Sequence, residues 1–281
     1  MAGATALGDL GAVEPQELLP LMMQLKVLTR KKGQRVVLGQ QYIGELIDCL
    51  GDRSLPAAIA AEGANVILNL CYERQNVELV LNNNGAAILI ELLTSTEEEL
   101  QANAAGALQS ICFHPKGRQI VRTLGAIAIL VQLLSSKSQS VRARATGALH
   151  NISSDGEAIR EIRKQGGIKS FIRLLQSRQL SICGSAAGAL QNISREIASR
   201  TMIRNSDAMF SLVHLLGSSE LQTQVCAAGA LLNLLGRDSH TCYKKRASIV
   251  RAMRNIMLAS IVRNIFFTQE VRTLFTSLSQ Q

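Results

Sequence analysis

AGALQSI at 105–111, TGALHNI at 146–152, AGALQNI at 187–193 and AGALLNL at 228–234 are one heptapeptide written four times, and ANVILNL at 64–70 is a more divergent fifth copy. The second position of each copy is Asn65, Gly106, Gly147, Gly188 and Gly229, a step of 41 residues with no slip. A second landmark keeps the same step. Leu92–Leu93, Leu133–Leu134, Leu174–Leu175 and Leu215–Leu216 recur at 41 residues, and Ile256–Met257 continues the series. Two registers held over this length mark an internal structural repeat, in which each unit buries its apolar face against its neighbours.

One period divides into three helical segments. Gly117–Leu124 reads as a short helix, and Gly125 ends it as a helix-terminating glycine does. Ala126–Leu134 reads as an apolar helix of about two turns. SSKSQ, residues 135–139, is a polar turn whose serines are available as N-caps. Ser140–Ser153 is the longest segment, with Val141, Ala145, Ala148, Leu149 and Ile152 on one apolar face. In successive copies Gly85, Gly125 and Gly166 mark the first break, with Ser206 in the fourth.

The ends depart from the pattern. Lys32–Leu50 matches Lys116–Leu134 in length, and two extra residues enter around Gly51–Ser54 before the beat resumes at Asn65. Pro15–Arg30 has the pattern of one further amphipathic helix. Ala247–Leu278 is helical in character but lacks the GAL motif, with Glu270 where Gly is expected. The expected division is a capping helix over 1–31, five repeats over 32–246 and a degenerate capping repeat over 247–281. Atypical end repeats are the rule in such stacks, because they cover the exposed end of the core.

Composition agrees with an all-helical chain. Hydrophobic residues make up 47%, aromatics 3%, and there are 4 Pro and no Trp, so the core is built of Leu, Ile, Val and Ala. No apolar run is long enough to predict a membrane span. Met1–Val13 lacks the basic start and apolar centre of a signal peptide, which predicts a cytoplasmic protein. Six cysteines, at 49, 71, 112, 183, 226 and 242, form no CxxC pair and no zinc spacing, and are expected to be small core residues. No phosphate loop, nucleophile elbow or metal signature is present. His114, His150, His214 and His240 hold no fixed offset to a carboxylate or Cys. A non-enzyme with no metal or cofactor is expected.

The formal net charge is +9, unevenly spread. Residues 1–100 carry 7 basic and 13 acidic side chains, net −6, while 101–281 carry 23 and 8, net +15. A field of one sign draws a partner of the other; a merely solvated basic face is the alternative. Nucleic acid is disfavoured, because stacking aromatics are scarce and no DNA or RNA module is present. Arg144, three residues before Gly147, shares that side of its helix and is expected to face any groove there.

The period, the three-helix plan and the AGALxNL core resemble the armadillo-repeat family, in its β-catenin-like rather than importin-α-like form, from about Lys32 to Leu278. The resemblance implies an all-α, right-handed solenoid whose third helices line a concave groove. It implies that Asn69, Asn151, Asn192 and Asn233, with Ser110 at the departing second copy, clamp the backbone of an extended peptide; bracing of the neighbouring repeat is the competing role. The positions that hold Trp in importin-α hold Asn65 and four glycines here, which argues against binding of nuclear-import signals. Seven residues past each of these come Tyr72, Phe113, Ser154, Arg195 and Gly236, where Tyr72 and Phe113 could hold an apolar anchor or pack between repeats. His150, beside Asn151, is a further groove candidate. The implied function is a protein-binding scaffold or adaptor, acting as a monomer or within a larger complex, that holds an extended and acidic partner segment. A fixed part of a cytoskeletal or ciliary assembly is the alternative.

Overall fold

A computed structural model describes residues 15–235, which fall into two compact units that divide between Ile152 and Ser153. The expected degenerate repeat over 247–281 lies outside the described residues, as do Cys242, His240 and Gly236. The first unit contains α1 (Pro15–Thr29), α2 (Arg35–Gly51), α3 (Ala57–Leu70), α4 (Arg74–Asn82), α5 (Gly85–Leu92), α6 (Glu98–Ile111), α7 (Pro115–Thr123), α8 (Ala126–Leu133) and α9 (Gln139–Ile152). The second contains α10 (Gly156–Lys164), α11 (Gly167–Leu174), α12 (Leu180–Ile193), α13 (Ile197–Arg204), α14 (Ala208–Leu215) and α15 (Leu221–Leu235). One turn of 3₁₀ helix at Lys32–Gln34 precedes α2, and among the described residues there is no strand.

The long third helices are α3, α6, α9, α12 and α15. In the first unit α1, α3, α6 and α9 pack in sequence; in the second α12 packs on α15. Ile67, Leu108, Leu149, Leu190 and Leu231 stand at one register position and are fully buried. The heptapeptide's glycine has a packing reason. A Cβ on Gly147 would come 2.3 Å from Gln109 Nε2, and one on Gly229 would come 2.2 Å from Gln191 Nε2. A side chain of the preceding third helix thus occupies the space beside each of these two glycines.

The first break differs from the expectation by one residue. The left-handed residues are Asn84 (φ 59°), Gly125 and Gly166 (both φ 78°). They are 41 apart, and Gly85 is instead the first residue of α5. Asn is among the few residues that tolerate this region, so no Gly is needed at 84. Gly85 is small because a Cβ there would lie 2.7 Å from Val80 Cγ1 and 2.8 Å from Val80 O. Its counterparts Ala126, Gly167 and Ala208 are also small and buried. In the fourth copy the register position is Asp207, at φ −81° and ψ 8°, rather than Ser206. In the first copy no break forms. Gln41 stands where Gly125 would align, and α2 runs unbroken for 17 residues.

The serines of the polar turn serve a different purpose from the N-caps expected of them. Ser95, Ser136, Ser177 and Ser218, again 41 apart, each accept a hydrogen bond from the backbone N–H two residues on, at 3.1–3.2 Å. They close the turn before the helix begins. Asp52 plays the same part in the first copy, accepting from Ser54 N at 2.8 Å. A long polar side chain in the third helix then pins the turn's carbonyls. Gln101 donates to Leu93 O, Arg142 to Ser136 O and Gln224 to Ser218 O, at 2.6–2.7 Å.

Candidate partner-binding site

The third helices carry the Asn row, and each amide nitrogen donates to an oxygen of the protein within its own unit. Asn151 Nδ2 donates to Gln109 O at 2.8 Å. Asn233 Nδ2 donates to Gln191 O at 3.1 Å and to Ser194 Oγ at 3.0 Å. Asn192 Nδ2 donates to Ser153 Oγ at 3.1 Å. Asn69 reaches Thr29 Oγ1 and the side chain of Asn65, both at 3.3 Å. All four amide nitrogens donate, Asn151 and Asn233 to a backbone carbonyl and Asn69, Asn192 and Asn233 to a hydroxyl. All four side chains are half-buried.

In the first unit the ends of α3 and α6 and the face of α9 enclose an open cleft of about 340 Å³. Its apolar lining is Cys71, Tyr72 and Phe113. Its polar lining is Gln109, Ser110, His114 and Asn151, and Arg144 brings a positive charge. Tyr72 and Phe113 are 55% and 72% exposed, high for aromatic rings with an apolar face to bury. The Arg35 guanidinium lies 5.0 Å from the centroid of the Tyr72 ring, and Phe113 meets His114 edge-on at 5.8 Å. Of the ten residues singled out by sequence, the cleft gathers Tyr72, Ser110, Phe113, Arg144 and Asn151. Asn69 lies elsewhere in the same unit, and Asn192, Asn233 and Arg195 belong to the second unit.

The remaining electrostatics sort the candidates. Arg144 is half-buried, with its stem over Gly106: a Cβ there would lie 3.3 Å from Arg144 Cδ. Arg195 is exposed, yet its guanidinium donates to Asn192 O, Ser153 O and Ser154 O at 3.0–3.3 Å. It caps helix ends that would otherwise present bare carbonyls. His150 is half-buried and does not line the cleft; burial pushes its imidazole below the ordinary value and favours the neutral ring. His114 is pushed the same way by partial burial and then by Arg74 and Arg118. Burial raises the Cys71 thiol to about 12, so it stays protonated. The sequence reading passed over Gln109, His114 and Cys71. Gln109 had a signal: it precedes the Asn register position, in the series Leu68, Gln109, His150, Gln191 and Leu232.

Part of the basic excess is already held in ion pairs. Of the net +15 after residue 100, eight basic and two acidic residues lie in 236–281, outside the described residues. Arg163 is paired with Glu196 through two bonds of 2.9 and 3.1 Å, and Arg160 with Glu157 at 2.8 Å. Among the described residues no cluster of His, Cys, Asp and Glu is arranged to hold a metal ion, and no helix is long and apolar enough to cross a membrane.

Comparison with known proteins bears on the fold. The armadillo/beta-catenin-like repeat model matches residues 74–113, 114–154 and 157–195. An engineered protein of known structure is 26% identical, with a TM-score of 0.74, covering 82% of this chain and 94% of its own. A second engineered protein, 23% identical with a TM-score of 0.79, covers 98% of this chain and 66% of its own. A designed armadillo repeat protein in complex with peptide (KR)4 is 21% identical, with a TM-score of 0.71, covering 81% of this chain and 97% of its own. No curated protein sequence matches the chain.

Proposed function

We propose that this chain, an all-α protein built of armadillo repeats, is a non-catalytic scaffold that holds an extended, acidic segment of a partner protein against its third helices. The observation that carries the proposal is the cleft at Tyr72, Phe113, Asn151 and Arg144: exposed rings, an amide and a cation with no acidic residue among the lining. A structural neighbour is solved with peptide (KR)4, which supports peptide binding as something the fold can do. The charge at Arg144 favours the opposite kind of peptide.

Titrating the purified chain with extended peptides of matched length, acidic, neutral and basic, tests this. Acidic peptides should bind best, and their advantage should shrink as salt rises, since exposed charges are screened over about 10 Å at 0.1 M. Equal or tighter binding of a (KR)4 peptide would remove the acidic partner from the proposal.

A further inference from the structure

The position three residues before the heptapeptide's second residue is Glu62, Asn103, Arg144, Ser185 and Cys226 in successive third helices. In the first unit two of its three members are already engaged. Glu62 pairs with Lys26 at 2.6 Å. Asn103 donates to Ala61 O at 2.9 Å and accepts from Asn65 at 3.3 Å. Arg144 makes no ion pair or hydrogen bond among the described residues, although its stem is held over Gly106. A half-buried guanidinium has five donors fixed in a plane and suits a carboxylate better than water alone does.

Two side of the cleft complete the chemistry. Phe113 leaves 72% of its surface in water beside a half-buried His114. The cleft's histidine is held toward its neutral form, so Arg144 supplies the positive charge there at neutral pH. In an extended chain, residues i and i+2 project on the same side and lie about 6.6 Å apart. Arg144, Tyr72 and Phe113 line the same 340 Å³ cleft, so two neighbouring same-side side chains of one extended segment can address its cation and its rings together.

Resting on the scaffold reading above, we infer that Arg144 and Phe113 form a two-point anchor. Arg144 takes a carboxylate side chain, and Phe113 takes an aromatic or large aliphatic side chain two residues away on the partner segment. Arg144 is then the residue that sets charge specificity in the first unit, while the Asn amides supply contacts indifferent to sequence.

Fluorescence anisotropy with the full chain and three capped, dye-labelled peptides in one Gly/Ser frame tests the anchor: Phe–Ser–Glu, Phe–Ser–Gln and Ala–Ser–Glu. The Phe–Ser–Glu peptide should bind roughly tenfold tighter than either of the others. Arg144→Gln should abolish the preference for Glu over Gln and leave the preference for Phe over Ala. Phe113→Ala should do the reverse, and Arg178→Gln, at an exposed site in the second unit, should change neither. Circular dichroism melts confirm that each variant is folded. A preference for Glu that survives Arg144→Gln overturns the anchor, as does a preference for Phe that survives Phe113→Ala. A panel of unrelated extended peptides separates the two claims. If these bind and Phe–Ser–Glu has no advantage, the anchor falls and the scaffold reading stands; if no peptide binds at all, both fall.

Discussion

Arg144 in the first unit is half-buried and makes no ion pair or hydrogen bond among the described residues, whereas Arg195 in the second is exposed and donates to three backbone carbonyls. Exposure alone would rank Arg195 as the better ligand for an acidic partner. Hydrogen bonding reverses the order, because a guanidinium that already satisfies helix-end carbonyls must give them up before it can bind anything else. The two arginines sit on one fold plan and differ in how much of their hydrogen-bonding capacity is already committed.

The largest expected effect tests the shared part of that plan. Leu149 of the first unit and Leu190 of the second are fully buried at one register position. Leu149→Ala and Leu190→Ala should each cost about 2–5 kcal/mol, the usual range for a large-to-small core change. Urea titration of the two variants measures it. A cost in that range at one site and below about 0.5 kcal/mol at the other, as for a surface residue, would break the equivalence of the two cores.

A smaller effect is expected at the amide row. Asn151→Ala removes one bond to Gln109 O, and Asn233→Ala removes bonds to Gln191 O and Ser194 Oγ. Each bond is worth about 0.5–1.5 kcal/mol, so both variants should melt earlier, Asn233→Ala more so. Unchanged melting temperatures would mean that the row contributes nothing to holding the repeats together.

The second unit also has a pH-sensitive pair with no equivalent at the cleft. Glu196 is held below the ordinary carboxylate value, first by its hydrogen bond from Arg163 and also by Ser199. A depressed carboxylate adds stability above its unfolded pKa, and that stability is lost as pH falls through the folded value. Unfolding measured from pH 7 downward should therefore show a loss that begins below about 4.5 and reaches about 1 kcal/mol. Glu196→Gln should remove that part of the pH dependence; a wild-type slope in the variant would assign the acid loss to other carboxylates.

The repeat was legible in the sequence because its causes are local. Helical spacing, a period of 41 and buried Leu at fixed register all lie along one chain. The errors lie where one residue type serves two purposes. Gly85 looked like a helix break because Gly often is one, but the break falls on Asn84, and Gly85 is small because Val80 and Ile47 crowd it. The turn serines were visible as serines, while their bond to a backbone N–H two residues on was hidden among several available caps. The amide row shows the same limit at the site. Asn at a fixed register could be read, but whether its amide turns to the neighbouring helix or to a ligand depends on the separation of two helices more than 30 residues apart in the chain.

The smallest stability effect bears most directly on the two arginines. Arg195→Ala frees three carbonyls at helix ends. These ends lie at the surface, where water can replace part of what is lost, so the cost should be about 0.5–1 kcal/mol. Arg144→Ala breaks no bond present among the described residues, and its cost should stay within about 0.5 kcal/mol, that of an ordinary surface change. Binding of an acidic peptide should follow the opposite order, weakened by Arg144→Ala and nearly untouched by Arg195→Ala. One thermal melt and one titration per variant are enough. If Arg144→Ala destabilised the chain as much as Arg195→Ala did, its guanidinium would be part of the structural framework. If the two variants lost acidic-peptide affinity equally, exposure would be the better guide to availability after all.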